Sequence, residues 1–405
     1  MPSCVICDQF IEPFISFGRM PIANGFLTPG EFATEPYFEL ATGFCPQCKM
    51  VQLTERVAAD KMFHENYAFF SSTSARMAAH FEKLAEQVKA TYLGPDPFVV
   101  EVGSNDGILL QHFARAGIRH LGVEPSANVA AVARGKGIRT VSEFFSEEFA
   151  RRVVAEHGQA DAFIGANVMC HIPAMHSVVA GVRLLLKPKG VLIFEDPYLG
   201  DIVEKTSYDQ IYDEHAFYFC VTSLDYLFAR HEMEIVDVTP LATHGGSMRY
   251  VVAHRGARPV APAVAAQREK ERSLGLAEPV TYVAFRRRVE ASRDELVRLL
   301  QRLRAEGRRV VGYGATSKST TVTNYCGITP DLVEFISDTT QIKQHKFSPG
   351  VHIPVKPRAD FAARYPDYAL LFAWNHAEEI KANEAAFAAA GGKWISYVPR
   401  VEIAP

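Results

Sequence analysis

The sequence predicts an α/β protein in which a small cysteine-rich lobe precedes two doubly wound parallel sheets. The chain has 405 residues, which is too many for one ordinary domain. Short apolar strands alternate with helical segments, as is typical of parallel βαβ units. Two openings of the same kind, FVVEVGSNDG and RVVGYGATSK, run from a strand into a glycine turn and then a helix. Each opening therefore predicts the start of a separate nucleotide-type sheet.

Composition excludes several classes of protein. The chain is 48% hydrophobic and 22% charged, which is typical of a folded globular protein and not of a disordered, collagen-like or coiled-coil chain. A net charge of −3 offers no basic excess for nucleic acid. No stretch approaches the roughly 20 apolar residues that span a bilayer, so we expect no membrane partner. The N-terminus lacks a secretory signal, and we expect a cytoplasmic protein.

The first four of the seven cysteines form two C-x-x-C pairs, Cys4 with Cys7 and Cys45 with Cys48. Each pair can place two thiolates on one tight turn, and two such turns complete a tetrahedral Zn²⁺ site. All four positions are then filled, so the predicted zinc is structural. The alternative is four unmetallated thiols or a redox pair.

The elements of the middle domain follow from apolar periodicity. Residues 73–90 have apolar positions at helical spacing, and Gly94-Pro95 ends that helix. Short apolar runs predict strands at 98–102, 120–123, 162–164 and 191–194. Helices are predicted between them, at 108–116, 128–136 and 175–186. We place the N-terminal lobe at residues 1–66 and this domain at 67–254.

A second domain is predicted at residues 255–405. It opens with a connection rich in Pro, Ala and Arg at 255–280, followed by a long amphipathic helix at 281–307. The many arginines of that helix are most simply its solvated face. A second βα series starts at 309–315, with further strands predicted at 333–337, 368–372 and 394–397.

The first glycine turn suggests an adenosine-type cofactor. Gly103 and Gly107 follow a strand and open a helix, where an open α/β sheet binds its ligand, and glycines let the backbone approach that ligand. Glu124 ends the next strand, where a carboxylate can accept hydrogen bonds from ribose hydroxyls. Glu101 would repel a pyrophosphate but suits a cofactor that bears an ammonium. The turn therefore favours S-adenosylmethionine over NAD, with a tight turn that binds nothing as the bland alternative.

The second glycine turn, Gly312–Lys318, combines backbone N–H groups, hydroxyls and a lysine at a helix N-terminus, which favours anions. The turn at 244–249 carries an arginine that could reach either a sugar or a cofactor. The alternative for this lobe is a degenerate Rossmann unit that only packs against the first.

Taken together, these blocks resemble the S-adenosylmethionine-dependent sugar C-methyltransferases over essentially the whole chain. The resemblance is carried by the four-cysteine lobe, the turn at 101–107 with GVEPS at 122–126, YDEH at 212–215 with Tyr218, HGGSMR at 244–249, and GYGATSK at 312–318. It implies a zinc-binding lobe, a class I (Rossmann-like) methyltransferase domain and a second, C-terminal Rossmann-like α/β domain.

The resemblance also implies roles for individual residues. His215 resembles the general base, and the other catalytic positions are Tyr212, Glu214, His171 and Tyr67. The positions that match cofactor contacts are Glu101, Gly103, Asn105, Gly107, Glu124, Phe145, Ser146 and Asn167. We expect the nucleotide sugar to meet Tyr218, His244, Arg249, Gly314, Ser317, Lys318 and Asn375.

The chemistry of carbon methylation needs such residues. The carbon nucleophile of a sugar is an enolate beside a ketone, so a base must remove the α proton and donors must hold the oxygen. A histidine suits the first task and tyrosine hydroxyls with a second histidine suit the other. We therefore predict methylation of a nucleoside-diphosphate 4-keto-deoxysugar, at C3, by a monomeric enzyme with S-adenosylmethionine and structural Zn²⁺ as cofactors.

Three alternatives stay open from the sequence. The same fold could methylate an oxygen or nitrogen acceptor. A nicotinamide-dependent sugar-nucleotide oxidoreductase or epimerase could use either glycine turn, although Glu101 and the lack of a Tyr-x-x-x-Lys pair disfavour it. A zinc-ribbon adaptor for nucleic acid or a protein partner would need a basic, aromatic surface, which residues 1–60 do not show.

Overall fold

The computed structural model describes residues 2–58, 71 and 75–404. Their strands, numbered along the chain, are β1 Glu12–Pro21, β2 Tyr37–Phe44, β3 Val51–Leu53, β4 Phe98–Val102, β5 Arg119–Val123, β6 Thr140–Val141, β7 Ala160–Ala166, β8 Leu186–Pro197, β9 Phe217–Tyr218, β10 Met233–Leu241, β11 Ser247–His254, β12 Val310–Tyr313, β13 Ile336–Ser337, β14 Val355–Lys356, β15 Tyr368–Leu371, β16 Lys393–Ser396 and β17 Glu402–Ala404.

The α-helices are numbered in the same way. They are α1 Ala75–Thr91, α2 Leu110–Arg115, α3 Ala127–Gly135, α4 Glu147–His157, α5 Met175–Leu185, α6 Leu199–Lys205, α7 Val221–Ala229, α8 Pro262–Ser273, α9 Pro279–Ala305, α10 Ser317–Tyr325, α11 Arg358–Ala363, α12 Ala377–Asn383 and α13 Ala385–Ala389. No helix in these described ranges is both long and apolar enough to cross a membrane.

The sheet of the N-terminal lobe is antiparallel and has four strands in the order β1-β2-β3-β9. Its fourth strand, β9, comes from the middle of the chain, directly after the YDEH block. Val51 pairs with Tyr218, and the Leu53 N–H donates to the Ala216 carbonyl at 2.9 Å. The lobe predicted at 1–66 therefore shares a sheet with the segment that carries the predicted base.

The seven-stranded sheet confirms the predicted methyltransferase-type architecture. Its order is β10-β11-β8-β7-β4-β5-β6, with β8 to β6 parallel and β10 and β11 antiparallel at one edge. The turn at 103–107 follows the carboxyl end of β4, and Glu124 follows β5. Since parallel strands share that edge, the topology brings the turn and the carboxylate together.

The C-terminal domain has a second, largely parallel sheet in the order β14-β13-β12-β15-β16-β17. One apolar cluster runs from the cysteine lobe through both sheets. Helix α9 packs against the sheet of the N-terminal lobe. The centroid of the Tyr282 ring lies 5.0 Å from that of Phe14 and 4.7 Å from that of Phe44.

Two predicted elements differ from the structure. The connection at 255–280 contains helix α8, whose first residue is Pro262 and whose buried face holds Val264 and Gln267. Proline suits the first turn of a helix because its missing N–H would have no intrahelical partner there. The strand predicted at 333–337 is only Ile336–Ser337, because the N–H of Val333 turns back to the Thr329 carbonyl at 3.1 Å.

Candidate active site

The four cysteines form a cluster built from two matching turns. Asp8 and Lys49, one residue after each pair, both have φ of 62°, and each donates its N–H to the first cysteine's carbonyl at 2.9 Å. The Sγ atoms of Cys4 and Cys48 are 3.4 Å apart, as are those of Cys7 and Cys45, and all four lie within 4.8 Å of one another. Tetrahedral Zn–S bonds of about 2.3 Å place sulfurs slightly under 4 Å apart, so the cluster fits zinc.

The cofactor turn is built around Gly103, Asn105 and Glu124. Gly103 has φ of +62°, and a Cβ there would lie 2.7 Å from Val168 Cγ2, so packing beneath the turn requires this glycine. The Asn105 N–H donates to Glu124 Oε2 at 3.0 Å, and the Ser126 N–H donates to Oε1 at 2.8 Å. Each carboxylate oxygen keeps a second lone pair for a ribose hydroxyl. Gly107 also has a positive φ, +80°, above Ile138.

Glu101 is a buried carboxylate beside two other acids. Its side chain is 3% exposed, and Oε2 has no hydrogen-bond partner among the residues that the structure describes. Burial, with the charges of Glu124 and Asp106, raises the pKa of Glu101 well above its usual range. A buried acid in this state is stabilised by a cation, which fits the ammonium of S-adenosylmethionine.

Phe145 packs into the core, and Ser146 caps helix α4. The Phe145 ring is buried 4.6 Å from the Phe163 ring, and Ser146 Oγ accepts from the Phe149 N–H at 3.1 Å as the N-cap of α4. The exposed side chain of this segment is Phe144, at 52%. The expectation that Phe145 and Ser146 contact the cofactor stays a prediction.

Asn167 and His244 meet at the junction of the two glycine-turn domains. Asn167 has φ of 54° and donates its N–H to the Glu195 carbonyl at 2.6 Å. Its Nδ2 lies 3.0 Å from His244 Nε2, which therefore acts as an acceptor. Burial lowers the pKa of His244 to about 3, with the Lys318 charge acting in the same direction. That Asn167 lies at the boundary between cofactor and substrate stays a prediction.

His215 is buried and held in one tautomer. Its Nδ1 lies 2.7 Å from the Gln210 carbonyl, which can only accept, so Nδ1 carries the proton. Nε2 lies 2.8 Å from the Tyr212 hydroxyl, and the His171 ring stacks at 5.2 Å. Burial, and then the nearby His171, keep the pKa of His215 well below its usual range, and burial lowers the pKa of His171 to about 4. Both rings are neutral at physiological pH.

Glu214 connects this block to the N-terminal lobe. Its Oε1 accepts from Asn24 Nδ2 at 2.6 Å, and neighbouring Asp213 accepts from the Ala23 N–H at 3.0 Å. Burial raises the pKa of Glu214, and burial with the Glu214 charge raises the pKa of Asp213 to about 7. Asn24 was missed by sequence reasoning, because no local pattern marks a residue whose partner lies 190 positions away.

Tyr218 lies in β9 next to the base. Its side chain is buried, and its ring meets the His215 ring edge-on at 6.4 Å. Because Tyr218 is buried, it packs against His215, and almost none of its surface is exposed. Tyr67, also predicted to be catalytic, lies outside the described residues.

Arg249, predicted to meet the nucleotide sugar, belongs to a buried network with Glu195. Its guanidinium is buried and paired with Glu195 at 2.6 Å, and Nη1 donates to Gln87 Oε1 at 2.7 Å. His80 Nε2 lies 2.6 Å from the second Glu195 oxygen. Since β11 pairs with β8 opposite Glu195, the strand register fixes this network. Arg249 therefore links α1 to the seven-stranded sheet. Its Nε and Nη2 atoms face Glu195, and its Nη1 atom donates to Gln87.

The second glycine turn links β12 to helix α10 in the C-terminal domain. Gly314 has φ of +89°, and a Cβ there would lie 2.7 Å from Ala373 Cβ. The Ala315 N–H donates to Asp338 Oδ2 at 2.7 Å, which removes one of the expected anion donors. Ser317 begins α10. Lys318 Nζ donates to Asn375 Oδ1 at 3.0 Å, and burial lowers the Lys318 pKa to about 8.

The structure therefore brings most of the predicted residues together. The Thr321 hydroxyl of α10 donates to the Ile211 carbonyl at 2.8 Å, one residue before Tyr212, so the helix that follows the second glycine turn packs against the segment that carries the predicted base. A neutral histidine base, a tyrosine hydroxyl, two buried acids and one lysine meet where the three parts of the chain join. Such a site can remove a proton from carbon and hold an anion nearby.

Comparison with known proteins identifies each part of the chain. Family models match a zinc binding domain at residues 4–63, a methyltransferase domain at 49–238 and a C-methyltransferase C-terminal domain at 242–399. The C-methyltransferase NovU of Streptomyces niveus is 36% identical over 405 residues, which covers 99% of this chain and 96% of that protein.

Solved structures match parts of the chain. The CcbJ methyltransferase of Streptomyces caelestis is 14% identical with a TM-score of 0.35, over 44% of this chain and 90% of that one. Magnesium protoporphyrin IX methyltransferase from Synechocystis PCC 6803 with bound S-adenosylmethionine is 14% identical with a TM-score of 0.34, over 49% and 89%. With NovU as a full-length relative, the chain belongs to the S-adenosylmethionine-dependent C-methyltransferases, and its cofactors are S-adenosylmethionine and zinc.

Proposed function

We propose that the enzyme methylates C3 of a nucleoside-diphosphate 4-keto-deoxysugar, through an enolate, in the biosynthesis of a branched sugar. The observation that carries the proposal is the state of His215, a buried neutral imidazole with Nδ1 committed and Nε2 beside a tyrosine hydroxyl. Methylation at carbon requires such a base, because the carbon has no lone pair until its α proton is removed. A positioned base contributes about 10²–10⁴ in rate.

In the proposed reaction, Nε2 of His215 takes the α proton, and the electrons of the C–H bond move into the enolate. When substrate binds, the Tyr212 O–H turns from Nε2 to the enolate oxygen, which frees the Nε2 lone pair, and the neutral imidazole of His171 donates a second hydrogen bond to that oxygen. S-adenosylmethionine, held at Glu101, Gly103 and Glu124, would supply an electrophilic methyl group to the enolate carbon, with the electron pair of the former C–S bond left on sulfur. Glu214, held by Asn24, keeps the block in place, and Tyr67 remains a proposed second hydroxyl donor.

The sugar nucleotide is proposed to lie across the C-terminal domain. Lys318 and the Ser317 hydroxyl offer an ammonium and a donor for its phosphates, with Gly314 and Asn375 beside them. Support comes from the packing of α10, because its Thr321 hydroxyl donates to the Ile211 carbonyl at 2.8 Å, so an anion bound at the start of this helix lies near the segment that carries His215. The name of the relative NovU, a C-methyltransferase, supports carbon as the acceptor.

The test is incubation with a dTDP-4-keto-6-deoxyhexose in D₂O, with and without S-adenosylmethionine, followed by mass spectrometry and NMR of the sugar. We expect deuterium at the α carbon without the cofactor and a new C-methyl group with it. A methyl group on oxygen, or methylation without any α exchange, would contradict the enolate route. No product from a panel of 4-keto nucleotide sugars would contradict the substrate class.

A further inference from the structure

Asp209 is a fully buried carboxylate held by two side chains of the C-terminal domain. Its Oδ2 accepts from Trp374 Nε1 at 2.6 Å and from the Tyr397 hydroxyl at 2.7 Å. These donors lie 165 and 188 positions further along the chain. Both donors converge on Oδ2, while Oδ1 has no hydrogen-bond partner among the residues that the structure describes. Burial raises the pKa of Asp209, and the charge of Lys318 and these two hydrogen bonds act against that shift.

The residue after Asp209 holds the base. The Gln210 carbonyl accepts from His215 Nδ1 at 2.7 Å, and the Gln210 side-chain amide donates to the His244 carbonyl at 2.5 Å. Asp209 and Gln210 share a short 3-10 turn, Tyr208–Gln210, and both are buried. Because one peptide unit joins them, a shift of Asp209 moves the carbonyl that fixes the His215 tautomer.

Trp374 also contacts the substrate side of the cleft. A Cβ at Gly245 would lie 2.1 Å from the Trp374 ring, so the indole packs directly on the turn that carries His244. Lys318 Nζ lies 4.9 Å from the ring centroid. Trp374 follows β15 at the carboxyl edge of the C-terminal sheet and is half-buried. Its position therefore depends on how this domain sits against the catalytic block.

We propose that Trp374 and Tyr397 are positioning residues that hold Asp209 and, through Gln210, keep His215 in the Nδ1–H tautomer with Nε2 as the proton acceptor. The inference rests on the proposed role of His215 and goes beyond it. The C-terminal domain then sets the state of the base as well as binding substrate. A domain that moved away would leave His215 free to exchange tautomers.

The test is ¹⁵N NMR of the histidine rings in Trp374→Phe, Tyr397→Phe and the double variant, with His215 assigned by its loss in His215→Asn. Matched controls are Trp394→Phe, which changes the other tryptophan of this domain, and Tyr282→Phe, which removes a buried hydroxyl that donates to the Leu276 carbonyl. We expect one Nδ1–H tautomer in the wild type and both controls. The double variant should show a mixture.

The kinetic readout is α-deuterium exchange without S-adenosylmethionine. Exchange should fall by up to about 100-fold in the double variant, because a displaced base loses its geometry, while cofactor affinity stays within twofold. Identical His215 signals in the wild type and the double variant would overturn the proposal; if the double variant does not fold, Tyr397→Phe, which deletes one oxygen atom, decides in the same way. The two proposals can fail separately. If the tautomer changes in the double variant but the wild-type enzyme exchanges no α proton, the positioning role is supported and the proposed function is contradicted.

Discussion

At the residue level, His215 makes two hydrogen bonds that its neutral Nε2–H tautomer cannot make together, because the Gln210 carbonyl needs a proton on Nδ1. We predict that His215→Asn abolishes turnover, with a loss of about 10²–10⁴ or more, because the substituted amide is no base. Cofactor affinity should change less than twofold, since His215 does not touch the Glu101–Glu124 turn. Titration calorimetry and the exchange assay measure the two effects. The matched control is His120→Asn, whose ring bonds to a backbone carbonyl in another part of the fold; a large loss of cofactor affinity in His215→Asn alone would contradict the assignment.

Glu101 gives a second prediction at this scale. Its folded-state pKa lies above the unfolded value, so its contribution to stability is complete below the unfolded pKa and is lost as pH rises toward the folded one. The apoenzyme should therefore lose stability on going from pH 4.5 upward more steeply than Glu101→Gln, in thermal melts across that range.

The same Glu101→Gln variant should bind S-adenosylmethionine and S-adenosylhomocysteine about tenfold more weakly, because both carry the ammonium. Unchanged affinity for both would rule out a contact with the carboxylate.

At the level of the element, the turn after β4 depends on a glycine for its backbone angle and its packing. Gly103→Ala would force a side chain into φ of +62° and against Val168, which costs about 1–3 kcal/mol. Gly135→Ala, at the end of α3 with open space around it, is the control and should be neutral or stabilise by up to about 1 kcal/mol. Chemical denaturation measures both free energies of unfolding. Equal values for the two variants would show that the turn is not strained.

The same scale shows what sequence patterns can and cannot predict. Both glycine turns, the cysteine pairs and the positions of the parallel strands along the chain follow from local signals, namely strand hydrophobicity, spacing and turn residues. The missed features are contacts between distant segments. No periodic pattern marks the contacts of Asn24 with Glu214, of Trp374 with Asp209, or of β3 with β9. Each partner alone is a single side chain or a strand of two or three residues. The pairing of Arg249 with Glu195 was missed for the same reason, since it follows only from strand register.

At the level of the whole molecule, the zinc lobe and the catalytic block form one structure. Cys45 follows β2 directly, β2 pairs with β3, and β3 pairs with β9. Strand β9 begins three residues after Glu214, so it directly follows the segment that carries His215. A zinc ion that holds the two cysteine turns therefore also holds the strand on which the base depends. Structural zinc supplies folding free energy outright in small lobes of this kind.

We therefore predict that removing zinc reduces methyl transfer and lowers the stability of the lobe. Cys45→Ser should lower the bound zinc measured by mass spectrometry, lower the melting temperature, and reduce α-deuterium exchange at least tenfold, because β9 loses its neighbour. Cofactor affinity should fall much less, since the Glu101–Glu124 turn belongs to the seven-stranded sheet. Cys326→Ser, a buried cysteine of the C-terminal domain, is the control and should keep its zinc. A verified zinc-free enzyme with full exchange activity would show that β9 holds its position through the second sheet and the C-terminal domain alone, and that the shared sheet does not transmit the effect of the metal to His215.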